Sequence, residues 1–129
     1  MLTIPRTSHH VWTTVCRRTE LSACWGEAAL VGRDQVALFL VPVDGGEQVF
    51  AVSNLDPATG AAVMSRGIVG SRQGRPTIAS PLHKDVFDLV TGECHTSEAL
   101  HLPVWQVRER DGLIDVAPVA LPAHAAVAV

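Results

Sequence analysis

The apolar residues of this chain come in short runs of β-branched and aromatic side chains, broken by turn formers, and no stretch keeps a helical period. Residues 11–16 (VWTTVC) predict a first strand. Residues 28–31 and 35–41, joined by Gly32-Arg33-Asp34, predict a hairpin. Asp44-Gly45-Gly46 predicts the next reversal, with residues 48–53 returning as its partner strand. Residues 76–79, 84–89, 102–110 and 113–116 complete the set, with Thr91-Gly92 and Asp111-Gly112 as turns between them. A short helical turn fits residues 97–100. Strands of this length and spacing imply an all-β fold, an antiparallel sandwich or small barrel. Residues 117–129 are rich in Ala, Val and Pro and lack charge, and Pro118 and Pro122 oppose both a helix and a central strand. That segment reads as a loose tail or a strap.

Composition narrows the class. A chain of 129 residues fits one domain, and 47% hydrophobic with 18% charged residues is too apolar for disorder. Ten basic against thirteen acidic residues give a net charge of -3, which argues against nucleic acid or an anionic membrane as partner. The longest apolar run, residues 36–41, stops at Pro42, far short of a membrane span. The start, MLTIPRTSHH, has no apolar stretch behind a basic one, so a cytoplasmic protein without an export signal is expected. Cys16, Cys24 and Cys94 are odd in number and form no C-x-x-C pair. They read as reduced thiols packed as small apolar groups, not as disulfides or a zinc set. His9, His10, His95, His101 and His124 are scattered without metal-ligand spacing. Trp12, Trp25 and Trp105 default to core packing, although one exposed indole would make an interface anchor.

Two segments carry more. Asn54-Leu-Asp-Pro-Ala-Thr-Gly60 and Ser80-Pro-Leu-His-Lys-Asp-Val-Phe-Asp-Leu-Val-Thr-Gly92 resemble the two cluster-binding loops of Rieske-type iron-sulfur domains. The family pattern is C-P-H-x-G in the first loop, then C-P-x-H followed by a F-D-x-x-T-G hairpin. The match includes Pro57, Gly60, Pro81, His83, Phe87, Asp88, Thr91 and Gly92. The resemblance implies a Rieske-like domain over residues 11–116 between two tails, 1–10 and 117–129. A small loop-and-hairpin subdomain is expected at residues 54–92. By the same resemblance, Asp56 and Ser80 stand at the thiolate positions and Ala58 and His83 at the imidazole positions. In Rieske centres two Cys hold one iron and two His the other. A methyl group and a serine hydroxyl cannot replace them, and Asp56 is a hard oxygen donor. Locally, Asp56 before Pro57 fits a turn whose carboxylate accepts backbone N–H groups, and Ser80 fits a similar cap before Pro81.

With Met64-Ser-Arg-Gly-Ile-Val-Gly70 and Ser80-Pro-Leu-His-Lys84, the chain resembles the small subunit of assimilatory NAD(P)H-dependent nitrite reductase. Residues 11–16, 35–39 and 50–57 support the match. The resemblance implies an accessory oxidoreductase subunit with no cofactor, metal or catalytic residue of its own. Its partner would be a large subunit carrying FAD, an iron-sulfur cluster and sirohaem, which converts nitrite to ammonium. Arg66, Pro81, Leu82, His83 and Lys84 would lie on an exposed tip, suited to an acidic, apolar recess on that partner. The bland reading of His83 is a hydrogen-bonded loop histidine, and Gly67 and Gly70 read as positive-φ turn positions. Two alternatives remain open at this point. One is a Rieske-type ferredoxin, which needs thiolates at 56 and 80 and an imidazole at 58; the other is a non-catalytic scaffold module of the same fold. Ser80, His83 and Asp85 do not make a hydrolase triad, since no nucleophile elbow accompanies them.

Overall fold

The computed structural model describes residues 12–119, and within them the chain is all-β. One antiparallel sheet runs in the order β1 (Thr13–Arg17), β9 (Leu113–Pro118), β8 (Val104–Arg110), β4 (Gly46–Ser53), β3 (Asp34–Val43) and β2 (Glu27–Val31). It curls until the edge strands β1 and β2 approach one another, giving a nearly closed barrel. A slip in register between Thr14 and Cys16 bends β1 against β9, as a bulge at a barrel edge does. Between β4 and β8 the chain leaves the barrel and forms a second sheet, β5 (Ile68–Arg72), β6 (Arg75–Ala79) and β7 (Val86–Asp88). This insertion is the expected loop-and-hairpin subdomain.

Strand β3 explains why the two parts form one body. Its run from Val36 to Val41 is buried on both faces. Val36, Leu38 and Leu40 point into the barrel, against Val49, Ala51, Ile114 and Val116. Ala37, Phe39 and Val41 face outward and are covered by the insertion through Met64, Ile78, Phe87, Leu89 and Leu102. A strand apolar on both faces needs a layer on each side, and the small sheet supplies the second one.

The strand boundaries differ from expectation for local reasons. Segment 84–89 shrinks to Val86–Asp88 because Lys84 sits at φ 61 and the Asp85 carbonyl accepts from Ser80 N–H at 2.9 Å. Strand β8 begins at Val104 because Pro103 has no N–H and Leu102 N–H bonds the Gly92 carbonyl at 2.9 Å. Strand β9 continues through Ala117, which is buried, to Pro118, which pairs with Trp105. Pro118 is tolerated because it closes the strand. Residues 97–100 form one turn, closed by Leu100 N–H on the Ser97 carbonyl, and no longer helix. Strand β5 was not expected. Gly67 and Gly70 do not adopt positive φ; Gly67 has φ -72, and Gly70 lies inside β5 opposite Thr77. Among the described residues no helix is long and apolar enough to cross a membrane.

One buried charge ties three adjacent barrel strands, β1, β9 and β8. Asp115 on β9 is fully buried and accepts from Thr14 Oγ1 at 2.6 Å, Arg108 Nε at 2.9 Å and Arg110 Nε at 2.8 Å. The Arg108 guanidinium also stacks 4.5 Å from the centre of the Trp12 ring. The Thr14 and Arg108 hydrogen bonds, helped by Arg110 and opposed by burial, hold the Asp115 carboxyl at about 2. A lowered carboxyl pKa contributes stability that is full above the ordinary value near 4 and lost as pH falls through the folded value. The melting-temperature gap between the parent and Asp115→Asn should therefore be constant at neutral pH, narrow below about pH 4 and close near pH 2. A gap unchanged across that range would remove Asp115 as the titrating group.

Candidate functional site

Two loops, residues 54–67 between β4 and β5 and residues 80–85 between β6 and β7, lie against each other. Asn54 fixes the first. Its Oδ1 accepts from Ser65 N–H at 2.7 Å, its Nδ2 donates to Gln35 Oε1 at 3.2 Å, and its carbonyl takes Met64 N–H at 3.0 Å. The wholly buried Met64 side chain plugs this loop into the outer core.

Asp56 lies at the bend and is fully buried. Its Oδ1 accepts from Ala58 N–H at 3.0 Å, and its Oδ2 from Thr59 Oγ1 at 3.2 Å and Ser80 Oγ at 3.2 Å. The first contact is the local backbone bond expected of Asp56, and the second comes from the Thr59 hydroxyl in the same turn. The third crosses between loops. Ser80, itself buried, also accepts Leu82 N–H on its hydroxyl at 3.3 Å, and its carbonyl accepts Lys84 N–H at 2.9 Å. Asp56 and Ser80, expected from the resemblance at the thiolate positions, thus meet directly and close the loops on each other. Ala58, at an imidazole position, is exposed and offers only a methyl group. His83 is exposed and has no side-chain hydrogen-bond partner among the described residues, which corrects the expectation of a hydrogen-bonded loop histidine.

The hairpin that follows is structural. Phe87 is fully buried in the outer core. Asp88 accepts from Val90 N–H at 2.7 Å, Thr91 N–H at 3.1 Å and the Arg75 guanidinium. Burial pushes the Asp88 carboxyl up, but the Arg75 and backbone hydrogen bonds outweigh it and hold the group below the usual carboxylate range. Gly92 adopts φ +81 with the Leu102 carbonyl against it.

Arg66, Pro81, Leu82 and Lys84 are exposed, with Leu82 at 48%. Neither Arg66 nor Lys84 has an ion-pair partner among the described residues. Trp25, expected by default in the core, is instead exposed beside Arg66, because its loop lies across the surface of residues 65–67. Residues 24–26 lie against residues 65–67 across a groove of about 450 Å³, with Trp25 exposed at 67%. Trp12 and Trp105 are half-buried, so no tryptophan among the described residues is wholly in the core. A signal was present: Trp25 falls between predicted strands, where the alternating pattern offers it no inward face. Cys94 is buried, Cys16 half-buried and Cys24 exposed, all as free thiols, so Cys24 departs from the packed reading. No group of three or more metal-ligating side chains occurs among the described residues. His9, His10 and His124 lie outside them.

A family model described as Rieske-like [2Fe-2S] domain matches residues 11–117. The nitrite reductase (NADH) small subunit of Salmonella typhimurium is 37% identical over 105 residues, covering 81% of this chain and 95% of that protein. The chain belongs to the nitrite reductase small-subunit family. The crystal structure of a putative NADH-dependent nitrite reductase small subunit from Mycobacterium tuberculosis is 45% identical, with a TM-score of 0.77. That match covers 86% of this chain and 97% of that small subunit. A nitrite reductase NAD(P)H large subunit of Klebsiella oxytoca is 34% identical over 115 residues. Those residues are 88% of this chain but 12% of that large subunit. A segment like this small subunit therefore also exists inside a large-subunit polypeptide.

Proposed function

We propose that this chain is the accessory subunit of a cytoplasmic NAD(P)H-dependent nitrite reductase, docking on the large subunit through its tip and binding no iron-sulfur cluster. The observation that carries this reading is the Asp56–Ser80 hydrogen bond. A Rieske cluster links its two loops through thiolates on one iron, with imidazoles on the other. Here the same two positions are linked by carboxylate and hydroxyl at 3.2 Å, and both Asp56 oxygens are already engaged inside the fold. Ala58 has no donor atom. The residues present do not fit a [2Fe-2S] group, and no electron step is assigned to this chain. The same donor set speaks against the ferredoxin alternative.

What the chain supplies is a shaped surface. Arg66 and Lys84, without an ion-pair partner among the described residues, and the exposed Pro81 and Leu82 together suit an acidic, apolar recess. FAD, an iron-sulfur cluster and sirohaem belong on the large subunit, which converts nitrite to ammonium, and this chain stabilises the active form of that subunit. The Klebsiella large subunit supports the pairing, since a covalent link keeps two partners at high effective concentration.

The test joins Arg66→Glu with Lys84→Glu. Reversing two interface charges should weaken co-purification with the large subunit by about tenfold or more, with nitrite-dependent NAD(P)H oxidation falling in step. Undiminished complex and activity would remove the tip as the docking surface. The isolated chain, purified anaerobically, should show no visible absorbance between roughly 400 and 600 nm; a red-brown protein would restore the ferredoxin alternative.

A further inference from the structure

We infer that the groove between Trp25 and Arg66 is a second contact for the large subunit, receiving a partner segment that presents an apolar side chain to Trp25 and a carboxylate to Arg66. This rests on the reading that the large subunit is the partner, and it extends the contact beyond the tip loops. Trp25 is 67% exposed and Ile68, directly after the groove wall, is 73% exposed. Tryptophan and arginine side by side on a surface are the residue types that dominate binding energy at interfaces.

The main chain on both sides of the groove is held by hydrogen bonds. A Cβ on Gly26 would lie 2.1 Å from the Ser65 carbonyl oxygen and 2.7 Å from Phe39 Cε1, so the Trp25 loop is pressed flat onto residue 65. Cys24 N–H donates to the Leu40 carbonyl at 2.7 Å and Trp25 N–H to the Ser22 carbonyl at 3.1 Å. On the opposite wall, Ser65 N–H is held by Asn54 Oδ1 at 2.7 Å. A backbone held in place before binding leaves only the indole's own rotamers to be ordered on docking. Charge sets the occupant: Arg66 has no ion-pair partner among the described residues and attracts a carboxylate, while the exposed Glu27 on the other wall repels one. Arg66 belongs to both the groove and the tip, so one continuous partner surface covers both.

The experiment measures affinity of the full chain for purified large subunit, using Trp25→Ala, Trp25→Phe and Val90→Ala. Val90 is 50% exposed in a separate cleft with Val49 and Val107, and serves as the control. Trp25→Ala should weaken binding by about 30-fold or more, Trp25→Phe by less, and Val90→Ala by less than about threefold. An unchanged melting temperature for Trp25→Ala would confirm that the fold is intact. Binding of Trp25→Ala within about threefold of the parent overturns the groove; a loss with Arg66→Glu and Lys84→Glu alongside it would leave the tip reading standing. If Trp25→Ala abolishes a homodimer and spares the mixed complex, the occupant is a second copy and the inference falls. A parent chain that never binds the large subunit overturns both readings.

Discussion

Replacing Asp56 by alanine is expected to destabilise the protein by about 3 kcal/mol, measured by urea unfolding. Three donors lose their acceptor together: Ala58 N–H, Thr59 Oγ1 and Ser80 Oγ. Ser80 is 1% exposed, so water cannot replace the carboxylate without opening the loops. Asp56 itself is fully buried, so the loss of three partners at once places this change above an ordinary polar truncation. Ser80→Ala removes one of the three and should cost about 1 kcal/mol. The double variant should cost less than the sum, because each single change already breaks the shared bond. Strict additivity, or an Asp56→Ala variant within about 0.5 kcal/mol of the parent, would show that the loops are joined by something else.

Gly67→Ala is expected to cost about 3 kcal/mol as well, by a different route. Gly67 has φ -72, which any residue adopts, so backbone conformation is not the obstacle. A Cβ there would lie 2.3 Å from the Ala79 carbonyl oxygen and 3.1 Å from both Met64 O and Ile78 Cδ1. Backbone atoms on β6 and in the Met64–Arg66 turn must separate to admit it. Gly70→Ala is the matched comparison: its nearest neighbour would be Thr77 Oγ1 at 3.4 Å, an ordinary contact. That variant should stay within about 0.5 kcal/mol of the parent. Equal melting temperatures for the two alanine variants would contradict the close approach at Gly67.

These two glycines mark where a sequence can be read and where it cannot. The barrel strands were legible because β3 and β4 are continuous β-formers and their turns carry the residues those turns demand. The motif loops were legible because Pro57, Pro81, His83 and the Phe87–Gly92 hairpin keep fixed spacings. Strand β5 was hidden because its residues are exposed or half-buried and give no alternating signal. Gly67 was misread because glycine serves both positive φ and close approach, and only the position of Ala79 decides between them. The local turn bonds of Asp56 follow from Asp before Pro. Its bond to Ser80 spans 24 positions and depends on how the insertion folds back, which no local pattern encodes. The core default fails for Trp25 for the same reason, since its neighbour Arg66 lies across the loops.

The clasp between Asp56 and Ser80 is built from atoms the polypeptide carries from synthesis. Its closure waits on no delivery of inorganic sulfide or ferrous ion and is indifferent to chelators and dioxygen. On the proposed reading that no cluster binds here, a cell starved of iron is expected to accumulate this subunit in finished form, ready to engage its larger counterpart.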